Sequence, residues 1–110
     1  MRRAAMSQSS ANVPRWRDPW TRDDHFRRHG PKLGLSTVDE YDRSALETMR
    51  LGKRFTYTDL TSGKLRVGYY DPGPNRFLAL TADERFIVNH LAPDGGERYV
   101  RATLQDSTYR

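Results

Sequence analysis

Two histidines, His25 and His29, lie four residues apart in a strongly charged stretch of the chain. On a helix, positions i and i+4 lie on the same face, so both imidazoles would point the same way, with Arg28 close by. Histidine accepts and donates protons near neutral pH, and arginine binds phosphate oxygens. The pair predicts acid–base chemistry on an anionic substrate. A structural role at a helix end and zinc binding through HxxxH are the alternatives, but the glutamate of the HExxH zinc motif is absent.

The third histidine, His90, ends the largely apolar run 86–90 of a predicted strand. Alternation along a strand places it on the same face as Phe86 and Val88, near the rim of a sheet. One alternative is a hydrogen-bonded histidine within the sheet. The other is a group that faces the helix histidines, and we therefore include His90 with His25 and His29 as candidate catalytic residues.

Composition limits the classes of protein that the chain can represent. Its 110 residues suffice for one domain, and the absence of cysteine excludes disulfides, thiolate metal sites and cysteine nucleophiles. No apolar run approaches the ~18 residues of a membrane span, so we predict no membrane partner. The chain also lacks P-loop, GxGxxG and nucleophile-elbow motifs, so neither nucleotide hydrolysis nor hydride transfer has support. We predict no cofactor and no metal.

Positive charge is concentrated near the N-terminus. The net charge is +5, and residues 1–33 hold eight basic and three acidic residues, which accounts for the whole excess. A basic patch is typical of a protein that binds nucleic acid, whereas a solvated basic tail is the alternative.

Residues 1–19 are predicted to form a flexible basic arm, and residues 20–110 a single α+β domain. The first part of the arm is small and polar, with little to bury. Near its end Pro14 and Pro19 flank Trp16, and Trp20 follows directly, which favours an extended segment that packs onto the domain. Stacking of a tryptophan on a base is the alternative.

Capping signals and hydrophobic periodicity predict two helices followed by strands. The first helix is expected from a capping box at Thr21 to a left-handed cap at Gly30, and the second from a capping box at Thr37 to Gly52. Period-two patterns then predict five short strands, 54–59, 64–70, 76–81, 85–91 and 98–104. The expected fold is α+β, with the two N-terminal helices packed on a five-stranded, mainly antiparallel meander sheet.

Several basic, aromatic and hydroxyl side chains are candidates for contact with a substrate. Strand arginines can clamp a phosphate, an exposed tyrosine can stack on a base, and hydroxyl groups at the C-terminus can hydrogen-bond a phosphate. The predicted substrate-binding residues are Arg28, Lys32, Arg66, Arg98, Tyr99, Ser107, Thr108 and Tyr109.

A known superfamily shows a similar order of motifs. The pattern HFxxHGxxLGL begins at His25 and is followed by Ser-Thr-Val-Asp-Glu-Tyr-Asp, with Ala45 four residues after Tyr41, and then by a run of strands. This arrangement, from His25 to Tyr109, resembles the barnase–EndoU–colicin–RelE ribonuclease domains of polymorphic and contact-dependent toxins and of phage proteins. Related domains place a threonine in the late strand, where this chain has His90.

The resemblance implies a bacterial, toxin-like endoribonuclease that cleaves RNA without a metal, through attack by the ribose 2′-hydroxyl. It implies His29 as base or acid, His25 or His90 as its counterpart, and Arg28 with Arg66 on the phosphate. Implied partners are RNA, such as tRNA or rRNA, and an acidic immunity or antitoxin protein. Implied action is cytoplasmic, with delivery into target cells as an option. A non-catalytic nucleic-acid-binding or interaction module of the same fold is the alternative function.

Overall fold

A computed structural model describes residues 13–104, and the side chains of residues 13–101, as three α-helices and four β-strands. In chain order the elements are α1 (Pro19–His29), a 3-10 turn (Pro31–Leu33), α2 (Val38–Leu51), β1 (Lys53–Thr58), β2 (Leu65–Asp71), β3 (Arg76–Thr81), β4 (Ile87–Leu91) and α3 (Gly96–Leu104). The strands form one antiparallel sheet in the order β1–β2–β3–β4. The predicted α+β class and the meander are therefore confirmed.

The prediction of a fifth strand over 98–104 is wrong, because these residues belong to α3. Gly95 and Gly96 have positive φ angles of 87° and 59°, which turn the chain out of β4 and into a helix. Glu97 and Arg101 then form an i,i+4 ion pair at 3.5 Å on the helix surface. Residues 13–104 thus form three α-helices and four strands, rather than the two helices and five strands predicted.

Helix α1 ends at Gly30 as predicted, but its N-cap residue and the conformation of Gly30 differ from the prediction. Asp18, not Thr21, is the N-cap: its carboxylate accepts a hydrogen bond from the Thr21 N–H at 2.8 Å, and proline occupies the first helical turn. Gly30 keeps right-handed angles, and the left-handed residue is Gly34, after the 3-10 turn. Glycine is needed at position 30 because a Cβ there would lie 2.5 Å from the Phe26 ring.

Helix α2 begins and ends where its sequence signals predict. The Thr37 hydroxyl accepts the N–H of Glu40 at 3.1 Å, while the Glu40 carboxylate accepts the N–H of Thr37 at 3.2 Å. This reciprocal pair is a capping box, and the helix stops at Gly52 as predicted. Tyr41, Ala45 and their buried neighbours on α2 face the sheet.

The sheet has a core on each of its two faces. Alternation along β2 sends Val67 to one cluster and Tyr70 to the other. Helices α1 and α2 cover the first face, where the first core cluster contains Trp16, Leu33, Tyr41, Ala45, Val67, Leu78, Leu80 and Ile87. Val100 of α3 joins the aromatic second core cluster, which contains Phe55, Tyr57, Tyr70, Phe77 and Ala79 as well.

The end of the predicted arm, from residue 13 onward, contacts the domain. Arg15 forms a parallel bridge with Phe86, in which the Arg15 carbonyl accepts the Ile87 N–H at 2.8 Å and the Arg85 carbonyl accepts the Arg15 N–H at 3.2 Å. This segment lies beside the edge strand β4. Trp16 is buried, as predicted for a segment that packs onto the domain, whereas Trp20 is 73 % exposed. Residues 1–12 of the arm lie outside the described part.

Candidate functional site

Helix α1 presents the two histidines of the candidate site on one face, as their spacing predicts. The ring centroids of His25 and His29 lie 5.8 Å apart, and both side chains are half-buried. The Trp16 ring packs against His25 with a centroid distance of 5.2 Å. The pair therefore occupies a shared surface next to the N-terminal segment.

Asn89 of β4 fixes the protonation pattern of His25. The Asn89 side-chain oxygen accepts the backbone N–H of His90 at 2.9 Å and also lies 2.9 Å from Nδ1 of His25. Because this atom accepts one N–H, it is the amide oxygen, so Nδ1 of His25 must carry a hydrogen and donate it. In neutral His25 the lone pair is then on Nε2. Sequence reasoning missed Asn89, although its position next to His90 near the end of a strand was available.

The histidine pair is suited to accept protons at neutral pH. Burial lowers the pKa of His25, and the hydrogen bond that Nδ1–H donates to Asn89 opposes this shift. Burial also lowers the pKa of His29, and the positive charge of Arg28 lowers it further. Nε2 of His29 is buried and has no hydrogen-bond partner among the described residues. Both shifts favour the neutral imidazole over the imidazolium.

His90, the third candidate catalytic residue, does not join this pair at the surface. The residue is fully buried, its Nδ1–H donates to the Phe77 carbonyl at 2.9 Å, and its Nε2 accepts the Ser44 hydroxyl at 2.9 Å. Burial lowers the pKa of His90 to about 4. Both ring nitrogens form hydrogen bonds within the core, so neither is available to a substrate in this structure.

The basic residues predicted beside the histidines are paired with carboxylates. Asp24 accepts hydrogen bonds from Arg27 and, at 2.9 and 3.1 Å, from Arg28. The Arg28 hydrogen bond also lowers the pKa of Asp24. Lys32 forms an ion pair with Asp94 at 3.0 Å. Any phosphate bound by Arg28 or Lys32 would have to compete with these carboxylates.

The other predicted substrate contacts lie elsewhere. Arg66 is opposite Tyr57 in the β1–β2 register, on the face of the second core cluster, with its guanidinium 4.0 Å from Asp59. Arg98 and Tyr99 are exposed on α3, the helix on that same face. Arg66, Arg98 and Tyr99 therefore do not face the histidines. Ser107, Thr108 and Tyr109 lie outside the described residues.

Three arginines surround one phenylalanine at the β4 edge, and we call this group the arginine patch: Arg15, Arg17, Arg85 and Phe86. The three guanidinium carbons lie 5.8, 4.2 and 6.0 Å from the Phe86 ring centroid, in that order. No carboxylate within residues 13–101 lies within salt-bridge distance of these guanidinium groups, although Asp83 attracts Arg85 at longer range. The patch is exposed positive charge with an aromatic centre.

Comparison with family models, with curated proteins and with solved structures gives no match to this chain. The resemblance to barnase–EndoU–colicin–RelE domains therefore stays a prediction from the sequence. Within the described part, none of the helices has the length and apolar character needed to cross a membrane. The same residues contain no group of three histidine or carboxylate side chains placed to hold a metal ion.

Proposed function

We propose that the domain binds RNA and cleaves it without a metal, with His25 and His29 as the proton-transfer groups. The observation that carries the proposal is the contact of His25 with Asn89, because it leaves a lone pair on Nε2 of a half-buried imidazole of lowered pKa. A base for the ribose 2′-hydroxyl needs a neutral imidazole with a free lone pair. The arginine patch, in which Arg15 and Arg17 flank Trp16 in the chain, supplies positive charge for the RNA backbone.

The reaction proceeds by transfer within the RNA. Nε2 of His25 removes the proton of the 2′-hydroxyl, and the freed oxygen attacks the adjacent phosphorus. The bond between phosphorus and the 5′-oxygen breaks, and that oxygen takes a proton from the imidazolium form of His29, whose ring centroid lies 5.8 Å from that of His25. The products are a 2′,3′-cyclic phosphate and a free 5′-hydroxyl. This assignment replaces His90 with Asn89, which positions His25 and does not itself transfer a proton.

A second candidate function is nucleic-acid binding without cleavage. The arginine patch favours it, because guanidinium groups and an aromatic ring bind backbone and bases without any acid or base. On either function the partner is RNA, with tRNA and rRNA as candidates. An acidic immunity or antitoxin protein could cover the same patch, since its charge would be complementary.

Cleavage of total tRNA and rRNA in EDTA tests the proposal. We expect discrete products with 2′,3′-cyclic ends from the wild-type protein and at least about a 100-fold lower rate from His25→Ala, the usual contribution of a general base. Arg50→Ala, on the outer surface of α2, is the control and should cleave like the wild type. Equal cleavage by His25→Ala contradicts the assignment, and RNA bound but intact with every variant favours the second function.

The Asn89→Asp variant tests whether Asn89 positions and tunes His25 or only stabilises the fold. A carboxylate beside Nδ1 stabilises the protonated imidazole and raises the pKa of His25. Because the base must be neutral, the acidic limb of the pH–rate profile should move to higher pH. An unchanged limb in a folded, active variant contradicts the role given to Asn89.

A further inference from the structure

A cleft of ≈ 350 Å³ opens next to the arginine patch, lined by residues 15–19 together with Arg22 and Asp42. Its volume lies within the usual range of small-ligand pockets. Arg15 and Arg17 belong to both the cleft and the patch, so RNA bound at the patch would pass the mouth of the cleft. The cleft therefore has the position of a subsite for one nucleotide.

Two carboxylates line the cleft: Asp18, which accepts the Thr21 N–H as the N-cap of α1, and Asp42, which we take as the acceptor for a ligand. Oδ1 of Asp42 accepts the Trp16 indole N–H at 3.1 Å, and its Oδ2 lies 3.8 Å from Nη1 of Arg22. The side chain is 38 % exposed, and a carboxylate offers about four acceptor positions, so several remain open towards the cleft. The Trp16 contact also holds the carboxylate in a fixed orientation, since that indole is buried in the first core cluster.

We propose that this cleft selects a guanine base, whose N1–H and N2–H donate side by side to the Asp42 carboxylate. Among the four RNA bases, guanine alone presents two adjacent donors on its Watson–Crick edge, whereas adenine, cytosine and uracil each place an acceptor beside a donor. Single-stranded RNA exposes that edge. The inference rests on the proposed function as far as RNA binding, and it adds sequence preference to it.

The test uses 2′-O-methyl pentanucleotides UUNUU with a fluorescent 3′ end, which lack the nucleophilic hydroxyl and report binding alone by anisotropy. We expect the wild-type protein to bind UUGUU about tenfold more tightly than UUAUU, UUCUU and UUUUU, the scale of one bidentate base contact. In Asp42→Asn this preference should disappear, while affinity for UUUUU stays equal to or above that of the wild type. Asp39→Asn, which removes an exposed charge from the same helix, should retain the preference for UUGUU.

The outcomes separate the subsite from the function on which it rests. Equal binding of all four oligonucleotides by the wild type, or a guanine preference that survives in Asp42→Asn, overturns the subsite alone. Binding of none of them overturns RNA binding and the subsite together. Loss of the preference in both aspartate variants also overturns the subsite, because it makes the effect one of net charge.

Discussion

A chain of hydrogen bonds through His90 ties α2 to the central strands. Ser44 donates to the imidazole, the imidazole donates to the Phe77 carbonyl, and the Tyr41 hydroxyl donates to the His90 carbonyl at 2.5 Å. Every polar atom of this buried side chain is therefore satisfied in its neutral form. The same burial makes the protonated form costly, so His90 links the stability of the fold to pH.

We expect His90 to make the protein less stable in mild acid. The pKa of the folded-state imidazole is about 4, below the ordinary value of 6.5, because of burial and the nearby positive charges of Arg76 and His29. The unfolded chain thus binds the proton first, and stability falls as pH decreases from about 6.5 to 4. A shift of this size corresponds to about 3 kcal/mol. Urea unfolding at pH 7.5 and 4.5 measures the difference.

His90→Gln removes the titration while keeping a hydrogen-bonding side chain, so it should have a smaller stability difference between the two pH values than the wild type. His29→Gln is the matched control, since His29 is only half-buried and should account for less of the difference. A pH dependence that is the same in the wild type and in His90→Gln would contradict the prediction, whatever the absolute stability of the variant.

Residue types and spacing predicted part of the candidate site. The i,i+4 spacing placed His25 and His29 on one helical face, which the structure confirms. The same reasoning could not tell that Asp24 pairs with Arg28, because the pairing depends on side-chain rotamers. Nor could it predict that Asn89, and not His90, contacts His25. The register shift between Ala79 and Leu80 alters the alternation of side chains along β4.

Short elements were harder to assign than long ones. Helix α2 has fourteen residues, a capping box and four buried positions at helical spacing, so sequence signals agree along its whole length. The run that forms α3 is short, and its apolar and charged residues fit a period of two as well as one of 3.6. The positive φ angles at Gly95 and Gly96, together with the packing of Val100, favour the helix over a strand.

Gly68 in β2 is expected to be needed for the packing of the second core cluster. A Cβ at this position would lie 2.7 Å from Cζ of Phe55 and 3.0 Å from Cε1 of Phe77. Both rings are buried and cannot move without disturbing the cluster. We therefore expect Gly68→Ala to lower the free energy of unfolding by about 1–3 kcal/mol, measured by urea denaturation.

Gly73 provides the control for this substitution. An added Cβ there meets only Asp71 Oδ1, at 3.7 Å, an ordinary van der Waals contact in the β2–β3 connection. Gly73→Ala should therefore leave stability nearly unchanged. If the two alanine variants lose equal stability, the loss does not come from contact of the added methyl group with the Phe55 and Phe77 rings.

The distribution of charge over the whole molecule follows from pairing as much as from composition. The sequence places all excess positive charge in residues 1–33, but in the folded chain Arg27 and Arg28 share the single carboxylate of Asp24. The extended segment beside β4, in contrast, leaves positive charge exposed and without a paired carboxylate among the described residues. Alternation turns Trp16 into the core and leaves Arg15 and Arg17 exposed, next to Arg85 from the other side of the bridge.

Arg17→Gln and Arg85→Gln should therefore weaken RNA binding more than substitution of a paired arginine. Each arginine that neutralises a phosphate releases counterions, so each variant should reduce the slope of log K against log salt by about one. Arg27→Gln and Arg50→Gln remove the same charge from side chains that already contact Asp24 and Glu47, and they should leave the slope nearly unchanged. Anisotropy titrations of a labelled single-stranded RNA at several salt concentrations measure all four variants. If the four slopes fall equally, net charge alone governs binding, and the arginine patch is not the surface on which RNA lies.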